Sequence, residues 1–181
     1  MIASGDHPAG TAALRPMMPA DLADVIALEH ELFPDDPWSD EMFAAEVAEP
    51  AGSRLYLIAE AAATADDGGS ETATGQDDAV RPVMAGYAGL MFVPGGTQAD
   101  VLTIAVRPAC WGQGIGSVLL AALLAAARDR DCTEVFLEVR ADNPRAHGLY
   151  QRRGFADIGV RRGYYQPSGV DAIVMRKDLL R

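Results

Sequence analysis

The most regular pattern of apolar and polar positions lies between Val101 and Phe155. Two short apolar runs, Asp100–Val106 and Glu134–Val139, are typical of strands. Between them, Gly114–Arg130 repeats apolar side chains at helical spacing, on a side formed by Ile115, Val118, Leu119, Leu123 and Ala126. After the second strand, Asn143-Pro144 predicts a helix that ends at Gly154, because asparagine caps a helix and proline suits its first position.

The remainder of the chain predicts two helices and five strands. Asp21–Phe33 is amphipathic, and Ser39 is a suitable N-cap for a helix that runs to about Glu49. The five further strands are Ala12–Arg15, Arg54–Glu60, Val83–Phe92, Phe155–Arg161 and Val170–Arg176. The predicted order is β-α-α-β-β-β-α-β-α-β-β, which is a mixed α/β sheet with helices on both faces.

The 181 residues suit a single domain with a substantial core. We expect residues 1–10 to form a flexible tail and residues 11–181 to form the domain. A stretch at about 62–82 is rich in Gly, Asp, Thr and Ala and has almost no large apolar residue. Its composition predicts a disordered insertion between two strands.

The formal net charge of −11 argues against a nucleic-acid-binding surface, which needs a basic face. It suits a cationic substrate, although solubility explains it equally well. The first residues do not form a signal peptide, and the longest apolar run, Val118–Ala127, is too short to span a membrane. Cys110 and Cys132 are not in a CxxC pair, so we expect a reduced, cytoplasmic chain with no metal site.

The turn from Trp111 to Gly116 (WGQGIG) lies where an apolar strand gives way to a helix. Glycines leave the backbone N–H groups accessible, and the positive end of the helix dipole lies beside them, so the turn predicts an anion site, most simply for a pyrophosphate. A dinucleotide-binding fold and a P-loop fit less well, because no GK[ST] follows and the unit lies late in the chain. A plain strand-to-helix turn remains an alternative.

A carboxylate and a phenol follow this turn. Glu138 interrupts an otherwise apolar strand, and Tyr150 lies on the next predicted helix, which returns towards the same region. Together with an anion cradle, they point to an enzyme that uses a phosphate-bearing cofactor. The alternatives are an edge-strand Glu138 paired with Arg140, and a Tyr150 that only fills the core beside Leu149.

These residues resemble the GCN5-related N-acetyltransferase (GNAT) superfamily, and its RimI-like branch in particular. The resemblance covers about 12–180, except for the acidic insertion. It rests on the glycine turn and on a series of segments in the right order: Phe33 with Pro37-Trp38-Ser39, Ile104–Val106, Leu137–Asn143, Leu149-Tyr150, Gly154-Phe155, Arg161-Arg162, Tyr164-Tyr165, Asp171-Ala172 and Met175. Trp111 and Ser117 depart from the pattern, where the superfamily usually has Gln or Arg and the branch often has Arg.

The resemblance implies acetyl-CoA as cosubstrate and no metal. The pyrophosphate would be wrapped by Gly112, Gln113, Gly114, Ile115, Gly116 and Ser117. The strand Ile104-Ala105-Val106 would diverge from its parallel neighbour and pair with the pantetheine arm, and an N–H near Val106 would polarise the thioester carbonyl. Asn143 would contact the same arm, or only cap its helix.

The resemblance also implies that Glu138 is the general base and Tyr150 the general acid, in a direct transfer within a ternary complex. Cys110 is rejected as an acyl-carrying nucleophile, because no base is evident near it.

On the substrate side, the resemblance implies a peptide groove flanked by Trp38, Ser39, Tyr164, Tyr165 and Asp171. The implied substrate is the N-terminal alanine of a basic small-subunit ribosomal protein. The alternatives are another GNAT substrate, either a lysine side chain or a small-molecule amine, and a non-catalytic CoA-binding module. We expect a monomer or weak dimer that binds neither nucleic acid nor membrane.

Overall fold

The computed structural model describes residues 12–34, 38–49, 52–61 and 82–179. The predicted tail, and the predicted insertion apart from Pro82, lie outside the described residues. The strands are β1 (Ala13–Pro16), β2 (Arg54–Ala61), β3 (Val83–Phe92), β4 (Gln98–Val106), β5 (Glu134–Arg140), β6 (Ala156–Tyr165) and β7 (Val170–Asp178). The α-helices are α1 (Leu22–Leu32), α2 (Asp40–Ala48), α3 (Ile115–Asp129) and α4 (Pro144–Arg152).

The seven strands form one sheet in the order β1-β2-β3-β4-β5-β7-β6. All neighbouring pairs are antiparallel except β4 and β5, which are parallel. The parallel pair is joined through α3, the crossover helix that such a connection requires. The predicted element order and the mixed α/β sheet are therefore confirmed.

The parallel pairing between β4 and β5 is short. It runs from Gln98 opposite Glu134 to Val101 opposite Leu137, and then stops, although both strands continue. The register of β4 against β3 also shifts at this point, so that Leu102 has no partner in β3. An extra residue of this kind is a bulge, which bends its strand and increases its twist. The two strands consequently diverge, and a gap opens between their carboxyl ends.

The sheet buries a different set of side chains on each face. One face packs against α3, whose residues Leu119, Leu120 and Leu123 are fully buried. The other face packs against α1 and α2, where Val25, Leu28 and Phe43 meet β-strand residues that include Ile58, Tyr87 and Ala105. The leucine-rich core on the α3 side, with about 25 cal/mol stabilisation per Å² of buried apolar area, holds the central strands in place.

The predicted boundaries agree with the structure to within one or two residues for most elements. The helix expected to end at Gly154, for example, ends at Arg152. One end differs more. The strand expected to end at Arg161 continues to Tyr165, because the β6–β7 register shifts after Arg161 and pairing resumes between Tyr165 and Val170.

Candidate active site

A cleft lies where β4 and β5 diverge. Its walls come from the open edges of both strands, from α1 and the segment between α1 and α2, from α4 and its cap, and from the end of β6. Six of the residues predicted for the site lie in its lining: Trp38, Ile104, Glu138, Asn143, Tyr150 and Tyr165. The divergence of the strands, predicted from the resemblance, is thus present, and residues distant in the sequence meet in it.

The main chain of β4 is available on the cleft side beyond Val101. The Arg107 N–H donates to the Ala85 carbonyl of β3 at 2.8 Å. Because main-chain groups alternate in direction along a strand, those of Thr103 and Ala105 also point to β3, whereas those of Ile104 and Val106 point into the gap. Apart from the Val106 carbonyl, which accepts a hydrogen bond from the Trp111 indole, these groups can pair with an extended ligand as a further strand would. The Ala105 side chain is buried on the α1 side of the sheet.

The glycine turn presents an uninterrupted row of donors. Within the described residues, the backbone N–H groups from Gly112 to Gly116 make no hydrogen bond, whereas those of Ser117 and Val118 both donate to the Gly114 carbonyl. Gly112 and Gly114 have φ angles of 81° and 80°, the left-handed region that favours glycine. Five free N–H groups at the positive end of a 15-residue helix fit a pyrophosphate without any side chain.

Sequence reasoning missed three contacts around this turn. The Trp111 indole, 50% exposed, donates from Nε1 to the Val106 carbonyl at 2.7 Å, and the Arg145 guanidinium lies 4.1 Å from its ring centroid. Arg153 donates from Nε to Ser117 Oγ at 2.9 Å. The guanidinium of Arg153, the residue directly after α4, therefore lies at the third position of α3. No sequence motif predicts these contacts, because they depend on how α4 docks.

Glu138 is half-buried on the cleft side of β5 and pairs with Arg161 of β6, with Oε1 and Nη1 3.0 Å apart. β5 is a central strand between β4 and β7, but its pairing with β4 ends at Leu137, so the edge that carries Glu138 is open locally. The ion-pair partner of Glu138 is Arg161 and not the Arg140 of the alternative, and Arg140 binds Asp142 through two nitrogens at 3.0 and 2.9 Å. Because the Arg161 side chain is 56% exposed, this ion pair holds Glu138 weakly.

Tyr150 extends from α4 into the base of the cleft and is only 7% exposed. Its ring packs edge-to-face on Phe155, with the ring centroids 5.9 Å apart. The ring therefore does contribute to the core, as the alternative interpretation of Tyr150 expects. Among the described residues its hydroxyl has no hydrogen-bond partner. Burial, and secondly Tyr165, raise the pKa of this hydroxyl, so it keeps its proton at neutral pH. Burial likewise raises the pKa of Tyr165 to about 12.

The other predicted residues have structural contacts of their own. Ser39 caps α2 by accepting from the Met42 N–H at 3.2 Å, and Asn143 caps α4 by accepting from the Ala146 N–H at 3.0 Å. Asp171 accepts from the Gly163 N–H at 2.8 Å and so fixes the end of β6. Tyr164 is 45% exposed and packs on Tyr165. Of these four, only Asn143 lies in the lining of the cleft.

Sequence reasoning missed a second carboxylate in the cleft. Glu29 of α1 lines it and is only 3% exposed. It accepts hydrogen bonds from the Tyr87 hydroxyl and, at 3.3 Å, from the Trp38 N–H. Burial raises its pKa, against the opposing effect of these two donors. The sequence does carry a signal, since an acidic residue follows Leu28 on the apolar side of α1.

No group of three or more His, Cys, Asp or Glu side chains in the described part of the chain could hold a metal ion. No helix within the described ranges is long and apolar enough to cross a membrane.

Comparison with known proteins gives consistent matches. The family model described as "Acetyltransferase (GNAT) family" matches residues 22–155. The N-alpha-acetyltransferase RimI of Mycobacterium tuberculosis is 39% identical over 163 residues, which cover 88% of this chain and 87% of that protein. A putative ribosomal protein bS18-alanine N-acetyltransferase of Bacillus subtilis is 30% identical over 164 residues, covering 91% and 93%. The crystal structure of the Escherichia coli ribosomal-protein-S18-alanine N-acetyltransferase is similar with a TM-score of 0.68 and 26% identity, over 93% of this chain and 94% of that one.

The burial of Glu29 has a measurable consequence for stability. A carboxyl group whose pKa is higher in the folded state stabilises the protein below its unfolded-state pKa of about 4.3, and this contribution is lost as the pH rises through the folded-state value. We therefore expect Glu29→Gln to gain in free energy of unfolding relative to the wild type as the pH is raised. Chemical denaturation between about pH 4 and pH 8 measures the difference.

Glu41→Gln, at an exposed position of α2, is the matched control and should show no such trend. A Glu29→Gln difference that does not change with pH, or that falls as the pH rises, contradicts the expectation.

Proposed function

Because the chain belongs to the acetyltransferase (GNAT) family, we propose that this acetyl-CoA-dependent N-acetyltransferase acts on the free α-amine at the N-terminus of a protein, most specifically the N-terminal alanine of a small-subunit ribosomal protein. Relatives that match over nearly their whole length support the proposal. One is named an N-alpha-acetyltransferase and another a putative ribosomal protein bS18-alanine N-acetyltransferase. Such a substrate would place the reaction in the cytoplasm. We propose further that the enzyme is a monomer or weak dimer.

The observation that carries the proposed mechanism is the row of free N–H groups beside the diverging strands. Residues 112–117 would bind the pyrophosphate of acetyl-CoA, with Arg153 adding positive charge beside Ser117. Ile104 and Val106 would hold the pantetheine arm through the main-chain groups that face the gap, with Asn143 opposite them. The Val106 N–H would then polarise the thioester carbonyl, which supplies the activated acetyl group.

Glu138 is proposed as the general base. An N-terminal amine has a pKa near 8, so a large part of it is protonated and unreactive at neutral pH. The Glu138 carboxylate lies on the open edge of β5 in the cleft, where it can take that proton directly or through one water. The neutral amine then attacks the thioester carbon, and the carbon–sulfur bond breaks. Arg161 orients the carboxylate in the free enzyme.

Tyr150 is proposed as the general acid that returns a proton to the departing CoA thiolate. A hydroxyl whose pKa is raised stays protonated at neutral pH. Among the described residues, the Tyr150 hydroxyl donates a hydrogen bond to no acceptor. Both conditions suit a proton donor at the base of a cleft.

Trp38 and Tyr165 are proposed as contacts of the peptide, because both line the cleft beside Glu138. Tyr164, which packs on Tyr165, would extend this wall. Ser39 and Asp171 would act on the substrate side by fixing the segments that carry these rings. The net charge of −11 suits a basic peptide.

The choice of amine is tested with two peptides and acetyl-CoA, by initial rates of CoA release. One peptide begins Ala-Arg with a free α-amine, and the other has that amine blocked and carries an internal lysine. We expect turnover of the first only, because a lysine amine with a pKa of about 10.4 is harder to deprotonate than an α-amine with a pKa of about 8. Turnover of the blocked peptide, or of neither, would refute the proposed substrate.

The base is tested with Glu138→Gln, which keeps the shape of the side chain but cannot accept the proton. We expect kcat for the free-amine peptide to fall by about 10²- to 10⁴-fold, the usual contribution of general base catalysis. The affinity for acetyl-CoA should not change, because Glu138 lies outside the phosphate turn.

Glu134→Gln is the matched control, since Glu134 lies on the same face of β5 but binds Gln98 and Arg176 away from the cleft. Full turnover by Glu138→Gln, or an equal loss in Glu134→Gln, would remove Glu138 as the base.

A further inference from the structure

Glu29 is the one charged side chain buried within the described residues. Placing a carboxylate in such a position is unfavourable unless hydrogen bonds satisfy it. Both of its oxygen atoms are used: Oε1 accepts from the Trp38 N–H and Oε2 from the Tyr87 hydroxyl. The proposed chemistry at Glu138 and Tyr150 uses neither contact.

These two bonds tie three segments together. Glu29 belongs to α1, Tyr87 to the central strand β3, and Trp38 stands just before α2. Aromatic rings connect two of these segments, Trp38 and β3, a second time through Phe43 of α2. Trp38 packs on Phe43 with ring centroids 5.2 Å apart, and Phe43 packs edge-on against Tyr87 at 6.2 Å. The position of Trp38 is therefore set relative to the sheet by a carboxylate on one side and by a row of rings on the other.

This unit faces the proposed catalytic residues across the cleft. Glu29, Phe33 and Trp38 line the cleft from α1 and the segment after it, and Glu138 and Tyr165 line it from β5 and β6. We expect a peptide N-terminus that reaches Glu138 to pass between these two groups of residues, which form the two walls. The width of that passage on the α1 side would then depend on the position of Trp38.

We propose that Glu29, braced by Tyr87, is a positioning residue that holds Trp38 as one wall of the peptide-binding groove. The proposal rests on the proposed function, because it assigns a role to the wall that the peptide contacts. Glu29 acts through Trp38 and takes no proton from the substrate. Its loss weakens peptide binding and leaves the chemical step and the binding of acetyl-CoA as they were.

The test is a graded series measured with the free-amine peptide: wild type, Glu29→Gln, Tyr87→Phe and Glu29→Leu. Glutamine keeps a neutral acceptor for the Trp38 N–H, and leucine keeps none. Hydrogen bonds to charged groups are about twice as strong as neutral ones, so we expect KM for the peptide to rise about threefold in Glu29→Gln and about tenfold or more in Glu29→Leu. Tyr87→Phe removes one donor and should resemble Glu29→Gln.

The separation of KM from kcat distinguishes positioning from a merely structural role. A loss of folded protein lowers the apparent kcat without changing KM, whereas loss of uniform binding raises KM at constant kcat. We expect kcat and KM for acetyl-CoA to stay within about twofold of the wild type. An unchanged peptide KM in Glu29→Gln and Tyr87→Phe overturns the proposal even if Glu29→Leu does not fold. A fall in kcat of Glu29→Gln as large as that of Glu138→Gln also overturns it.

A second readout does not depend on the proposed substrate. The chain has two tryptophans, so in a Trp111→Phe background the fluorescence reports Trp38 alone. We expect acrylamide to quench Trp38 more strongly in Glu29→Leu than in Glu29→Gln, because the N–H of Trp38 has then lost its acceptor. If the wild type does not turn over the peptide, the proposed function fails, and equal quenching in the two variants would overturn the positioning role separately.

Discussion

The site depends on one constraint in the sheet: β4 and β5 pair over only four residues each before they separate. The bulge at Leu102 directly follows Val101, the last residue of β4 that pairs with β5. β4 therefore bends away from β5, while β5 continues to pair with β7. Main-chain N–H and C=O groups that would form hydrogen bonds between the strands of a regular sheet are thereby available to a ligand. The same bend lets α3 begin beside the gap, which brings the free N–H groups of the glycine turn next to the free edge of β4.

The two carboxylates of the cleft differ because of their surroundings. Glu138 is partly exposed and pairs with an exposed guanidinium, so a substrate amine can replace Arg161 at modest cost. Glu29 is enclosed, and both of its oxygen atoms are used by fixed donors. Glu138 is therefore suited to exchange its ion-pair partner during a reaction, and Glu29 is suited to fix the position of Trp38 in the wall of the cleft. Burial and partner exposure thus separate a proposed catalytic role from a proposed positioning role.

The elements and their order could be predicted from the sequence, because each depends on local patterns. Ser39 and Asn143 are examples, since their capping chemistry is short-range and the structure confirms both caps. The contacts that were missed join residues far apart in the chain. The Arg153–Ser117 pair spans 36 positions and the Tyr87–Glu29 pair spans 58. Helix docking and strand register determine such pairs, and neither is encoded in a local motif.

The central claim is that acetyl-CoA binds along the open edge of β4 and in the N–H cradle. Residue-resolved amide hydrogen exchange, with and without acetyl-CoA, tests it most directly. The account predicts that the cofactor slows exchange at Ile104 and Val106 and from Gly112 to Gly116. Thr103 and Ala105, whose N–H groups already face β3, should change much less and serve as internal controls. Protection that does not alternate along β4, or that lies outside both segments, would contradict the account.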